Sequence, residues 1–251
     1  MRRRIRAGCG VAIAATIATV FAGEVFAGET TRADGVSLVE QPGLRTASTV
    51  GDNRPSSSSR LFTDGRSIVE ANRIEGIRLA AEGGVAQAQY DLGLRFQSGD
   101  GVSKDPVQAL NWFRKAAEQG YGEAQYMLGC CYNGEEGFAR DPSEAVKWWT
   151  KAAEQGHADA QHCLGLSYSS GEGVSRNPAE AARWWKKAAE QNHPDAQYFL
   201  GISYFAGLGV PKIPEQAAYW LGQAAAHGNE DAMAELKKLG ADEPKRISSR
   251  R

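Results

Sequence analysis

The chain repeats itself with a period of 36 residues, and this constrains its fold more than any single residue does. The run AQYDLGLRF at Ala88 returns as AQYMLGCCY at Ala124, AQHCLGLSY at Ala160 and AQYFLGISY at Ala196, and a shortened copy, AMAELKKLG, follows at Ala232. A fixed period of this length marks a solenoid, in which each unit buries its apolar face only against its neighbours. Chains built in this way generally bind other molecules along an extended surface.

Within a unit the periodicity is helical. Ala88, Leu92, Gly93 and Phe96 fall on one side of a 3.6-residue helix, and Ala109, Trp112, Phe113, Ala116 and Ala117 do the same in the second half. Each unit is therefore a helix pair. Asp105-Pro106, Asp141-Pro142 and Asn177-Pro178 put a capping oxygen just before a proline at the first helical position, which sets the start of the second helix. That helix stops at Gly120, Gly156 and Gly228, where a left-handed residue closes the last turn, and Asn192 fills the slot in the third unit. Small residues at 88, 124, 160 and 196 and glycines at 93, 129, 165 and 201 allow close helix approach, while Trp112, Trp148, Trp184 and Trp220 are expected to form a ladder in the core between units.

The recurring pattern A-Q-x-x-L-G, a G-x-G turn with a following Val, and A-x-x-W-[FWYL]-x-x-A-A-E-Q-G resembles the Sel1-like repeat, a longer relative of the tetratricopeptide repeat. The resemblance covers about residues 70–240 and includes a leading half-unit, in which Ile77, Ala80, Ala81, Glu82 and Gly84 precede their counterparts by 36 residues. It implies an all-α, right-handed α-solenoid of stacked helix-turn-helix repeats whose first helices line a concave face. It also implies a role in protein–protein contact, and several bacterial members act outside the cytoplasm as adaptors or regulators. Two copies depart from the pattern. The second reads Gly134-Glu135-Glu136-Gly137 at its first turn, and the fourth has Ile213 where a capping oxygen belongs, so both turns should be less regular.

The ends differ from the middle. MRRRIR followed by a weakly apolar stretch to Gly23, with Val25-Phe26-Ala27 before a small-residue cut site, reads as a signal peptide over 1–27; uncleaved, it would be a short membrane anchor. Residues 28–67 carry no sustained apolar period and are expected to form a disordered leader. The solenoid then runs over 68–240, as a half-repeat (68–87), four repeats (88–123, 124–159, 160–195 and 196–231) and a capping helix (232–240), before a disordered tail at 241–251. The formal charge of −1 includes four arginines and one glutamate of the signal, so the mature chain carries −4. A mildly acidic domain lacks the footprint for phosphate backbones, so nucleic acid is excluded as a partner, and no membrane span is expected in the mature chain.

The fourth and eighth residues of each unit are where the copies disagree, and packing does not dictate them. They read Asp91 and Arg95, Met127 and Cys131, Cys163 and Ser167, then Phe199 and Ser203, and Met127, Cys163 and Phe199 would draw an apolar stripe across the first helices suited to a protein partner. Alternatively the leader covers this face, or it drifted. Cys131 and Cys163 could bridge neighbouring units or stay reduced as small hydrophobes. Cysteine-rich relatives bridge the two helices of a unit, but the matching second-helix positions here are Ala117, Ala153 and Ala189. His157, His162, His193 and His227 lack the spacing of a metal site, S-x-x-K is absent, and the G-x-G pairs lack a preceding strand. The sequence thus points to a non-enzymatic, cofactor-free adaptor or regulator of the periplasm or cell exterior. The alternatives are an envelope hydrolase acting on peptidoglycan or a β-lactam, and a non-catalytic cell-wall glycan binder.

Overall fold

The computed structural model describes residues 65–135 and 138–238. These form ten helices: α1 (Gly65–Glu82), α2 (Ala86–Ser98), α3 (Pro106–Glu118), α4 (Gly122–Tyr132), α5 (Pro142–Glu154), α6 (Ala158–Ser170), α7 (Pro178–Glu190), α8 (Pro194–Ala206), α9 (Pro214–Ala226) and α10 (Glu230–Lys238). The signal peptide, most of the leader and the tail expected from the sequence lie outside the described residues. Two boundaries move: Gly65 to Ser67, assigned to the leader, belong to α1, and the last helix begins at Glu230 instead of Ala232.

Each helix packs chiefly against the one before and the one after it, which makes the chain an all-α solenoid. Local chemistry sets the helix ends. The side chains of Asp105, Asp141 and Asn177 accept from the backbone N–H of Gln108, Glu144 and Glu180 at 3.0, 3.1 and 3.2 Å, with proline at the first helical position of each helix. Ile213 makes no such cap, as its side chain requires. Asn192 is the one described non-glycine residue with positive φ, at 63°, in the slot that glycine occupies in the other units. The departure in the second copy shortens its first helix: α4 stops at Tyr132, and Asn133 closes it in a right-handed conformation where Gly99, Gly171 and Gly207 are left-handed in the other units.

The core between units is not the tryptophan ladder expected from the sequence. Trp112, Trp148 and Trp220 are only partly buried, and it is the next residue in each unit, Phe113, Trp149, Trp185 and Leu221, that is sealed from solvent. These four side chains press on the first-helix glycines. A Cβ at Gly93 would stand 2.6 Å from Phe113, at Gly129 2.4 Å from Trp149, at Gly165 2.2 Å from Trp185 and at Gly201 2.8 Å from Leu221. The ladder tryptophans instead lie under lysine side chains one turn on, with Lys115, Lys151 and Lys187 ammonium groups 4.0, 3.8 and 3.9 Å from the ring centres of Trp112, Trp148 and Trp184. Adjacent aromatic positions on a helix are about 100° apart, so one of each pair faces the neighbour more directly; in α7 Trp184 is buried as well, at 9% exposed against 2% for Trp185.

A buried glutamine ties each first helix to both its flanking second helices. Gln89, Gln125, Gln161 and Gln197 donate to the carbonyls of Ala81, Ala117, Ala153 and Ala189 at 3.0 to 3.1 Å, a second bond on helix-end oxygens that also accept from the backbone N–H of Gly84, Gly120, Gly156 and Asn192. The side-chain oxygens of the first three accept from Gln119, Gln155 and Gln191 at 2.7 to 2.8 Å, and His227 takes the corresponding place beside Gln197 at 2.9 Å.

Candidate partner-binding groove

The first turn of each first helix carries a recurrent set of polar and ring side chains. His157 and His193 precede α6 and α8, and their Nδ1 atoms accept from the N–H groups of Ala160 and Ala196 at 3.3 and 3.2 Å; Asn229 caps α10 through its Oδ1 at 2.9 Å from Ala232 N. Because Nδ1 accepts, the hydrogen-bond network assigns the imidazole proton to Nε2. That nitrogen reaches back one unit, to Glu123 from His157 and to Asp159 from His193, each at 3.2 Å, and Asn229 reaches Asp195 at 2.9 Å.

Above this row lies a second one of rings. Tyr126 stacks on His157 with ring centres 4.6 Å apart and His162 on His193 at 4.7 Å, while Tyr90 meets Tyr121 at 5.5 Å. Two adjoining cavities open along these rows. One, of about 460 Å³, is lined by Asp91, Tyr121, Glu123 and Tyr126 among others, and the second, of about 520 Å³, by Asp159, His162, His193 and Asp195. They share Tyr126, Ala158 and Asp159, so together they form one trough crossing the first turns of successive units. Among the described lining residues there are four carboxylates, Asp91, Glu123, Asp159 and Asp195, and no lysine or arginine.

Two of these groups sit in unfavourable surroundings. Burial pushes the Asp91 carboxyl above its usual range, with the Arg95 charge acting against the rise, and no described residue hydrogen-bonds it. His162 is 6% exposed, and burial, followed by the charge of His193, holds its imidazole well below the usual value, so the ring is neutral. Its Nδ1 has no hydrogen-bond partner among the described residues.

The eight positions selected from the sequence are mostly elsewhere. Met127, Cys131, Cys163, Ser167 and Ser203 are at most 2% exposed and Arg95 8%, which corrects the expectation that these positions lie on a face away from the core, with Met127 and Cys163 in an apolar stripe along it. Arg95 is instead an interhelical tie, 3.1 Å from Glu70 and 3.3 Å from Asp100. Phe199 is partly buried, stacked on Trp185 at 5.1 Å. The physical cause is that a first helix inside a solenoid is covered by its own partner, by the preceding second helix and by its neighbouring first helices. In α4 every residue from Ala124 to Cys131 is buried. Asp91, Met127 and Cys163 still border the two cavities, and of these only Asp91 retains substantial exposure. The thiols of Cys130, Cys131 and Cys163 are buried and form no disulfide. Among the described residues, no group of three His, Cys, Asp or Glu side chains is arranged to hold a metal ion.

The groove residues that sequence reading passed over are the ring row and the carboxylates at the second position of α4, α6 and α8. Both were visible as regular features of the period: Glu123, Asp159, Asp195 and Asp231 recur at 36-residue steps, as do His157 and His193.

Comparison with known proteins bears on the whole described region. A family model described as Sel1 repeat matches four consecutive stretches, residues 86–121, 122–157, 158–193 and 194–229. Among solved structures, the chain is similar to a protective antigen present in uropathogenic Escherichia coli strains displaying an SLR fold, at 40% identity over 66% of this chain and 36% of that one, with a TM-score of 0.64. It is also similar to a Sel1 repeat protein from Oxalobacter formigenes, at 37% identity over 68% of this chain and 50% of that one, with a TM-score of 0.63. The chain thus spans between a third and a half of the length of these two relatives. No curated protein matches it.

Proposed function

The chain belongs to the Sel1 repeat family, whose members are generally protein-interaction scaffolds without catalysis, and on that premise we propose that it is a non-enzymatic adaptor or regulator of the cell envelope. It holds a protein partner in the trough along the first turns of its first helices. The observation that carries this reading is the continuity of the trough. Two cavities of about 460 and 520 Å³ share Tyr126 and Asp159, giving an elongated recess that suits a stretch of polypeptide better than a compact small molecule. The placement in the envelope rests on the signal-peptide pattern of residues 1–27, and no helix among the described residues is long and apolar enough to cross a membrane.

The reading is tested by site-specific photocrosslinking in the native envelope from Gln87 and Asp195, both exposed on the trough, with Glu215 on α9 as the control. The adaptor reading requires one identified protein attached from both trough positions and not from the control, and the same protein must then bind the purified chain. Attachment no greater than at Glu215 overturns it.

A further inference from the structure

Resting on that reading, we infer that the segment held in the trough is an extended, basic stretch of a partner protein, whose lysine or arginine side chains enter the two cavities. The charge of the lining points first in this direction. Asp91, Glu123, Asp159 and Asp195 face the recess without a lysine or arginine among the described lining residues to balance them. Acidic residues in a first helical turn are commonplace, because the helix dipole favours them, and by themselves they would imply nothing. Two further features require more than that.

The Asp91 carboxylate is half-buried and lacks a hydrogen-bonded partner among the described residues, an arrangement that costs free energy in the empty protein. An ammonium or guanidinium group entering the first cavity would add a hydrogen-bonded counter-charge to the distant one that Arg95 supplies. Tyr90, Tyr121 and Tyr126 line the same cavity beside it. The same chain already seats its own lysines on Trp112, Trp148 and Trp184, so cation-on-ring contact is a geometry these helices accommodate.

In the second cavity His162 forms part of the wall, with a neutral ring and an Nδ1 atom left without a partner. The His162 ring therefore brings no positive charge to this recess, and Asp159 and Asp195 stand on it to take the charge of an entering ammonium or guanidinium. An anionic occupant is disfavoured. The N–H groups that would attract it at the starts of α6, α8 and α10 are already capped by His157, His193 and Asn229, and the carboxylates repel it. An amphipathic helix is a poorer fit as well, since the apolar side chains it would need to meet, Met127 and Cys163 above all, are buried.

Fluorescence anisotropy with the full chain and a labelled twelve-residue peptide of alternating Lys and Gly tests the inference, with a Glu-Gly peptide as the counterpart. Saturable binding of the basic peptide at one site per chain is expected. The Asp91→Asn/Asp159→Asn double variant should lose roughly tenfold in affinity, whereas Glu190→Gln/Glu215→Gln, which neutralises two exposed carboxylates on second helices, should lose less than about twofold. If the Asp159 change disturbs folding, Asp91→Asn alone carries the test, because that side chain holds no described hydrogen bond.

Absence of saturable binding, equal binding of the acidic peptide, or equal loss in the second-helix control overturns the basic occupant. The two readings fail separately. Photocrosslinking that still identifies a partner from Gln87 and Asp195 while the basic peptide fails to bind leaves the adaptor standing and removes only the charge of its occupant.

Discussion

The indole of Trp185 occupies the space in which a side chain on Gly165 would begin: a Cβ there would stand 2.2 Å from Nε1. Gly165→Ala therefore forces either the indole or the helix to move, and overpacking of this kind costs about 1–3 kcal/mol. Gly222, inside α9 with nothing within 4 Å of its would-be Cβ, is the matched control. Gly222→Ala should stabilise by about 0.5–1 kcal/mol through lower backbone entropy in the unfolded chain. Thermal melts of the two variants should shift in opposite directions.

The two tryptophans of each W-W pair should differ sharply in worth. Trp185→Ala removes a side chain that is 2% exposed and should cost about 3–5 kcal/mol, while Trp148→Ala removes a partly buried ring and a lysine contact and should cost about 1–2 kcal/mol. Trp185→Phe, which installs the residue found at Phe113, should be much milder than Trp185→Ala. The lost area is partly offset by removal of an indole N–H that has no hydrogen-bond partner among the described residues. Urea midpoints of the three variants rank them directly.

Gln161 is the buried polar tie between α5, α6 and the end of α7. Gln161→Leu keeps the bulk but removes one of the two bonds on the Ala153 carbonyl and leaves the Gln191 amide only the Lys187 carbonyl at 3.4 Å, for a loss of about 0.5–1.5 kcal/mol. Gln191→Ala, at the exposed end of the same chain of bonds, should cost less than about 1 kcal/mol. Faster amide exchange at the α5–α6 junction in the Leu variant would locate the loss.

His162 makes stability fall with acid. In the unfolded chain its imidazole takes up a proton near the usual 6.5, while burial, then His193, keeps the folded ring neutral to well below that value. Between those two points the unfolded state binds more protons, so the contribution is fully present above about pH 6.5 and is lost progressively below it, at no more than about 1.4 kcal/mol per pH unit. His162→Tyr, which restores the residue of Tyr90, Tyr126 and Tyr198, should flatten that part of the stability profile. An unchanged slope in pH-dependent melts would show that His162 does not carry it.

The helix boundaries were legible because their causes are local: Asp141 caps the turn that Pro142 begins, and both lie side by side in the chain. The choice between Trp148 and Trp149 was not, since both are apolar and the pattern of one helix cannot say which of two adjacent directions its neighbour will cover. The pairing of Gly129 with Trp149, twenty positions on, would have decided it, as would Gly165 with Trp185. For the groove, Met127 and Cys163 were read on a helix with one partner, whereas the solenoid covers each first helix from several sides. The contact of His193 with Asp159 joins equivalent regions of successive units and leaves no trace in the spacing within one.

The polar ties described above, Gln191 to Gln161 over 30 residues and His193 to Asp159 over 34, each reach about one unit and stop. A chain lengthened by a whole 36-residue copy between α7 and α8 would therefore find a donor for every acceptor and a glycine for every indole, with no residue elsewhere required to change. Length in this architecture is a free variable, and with it the number of side chains a partner can present along the trough.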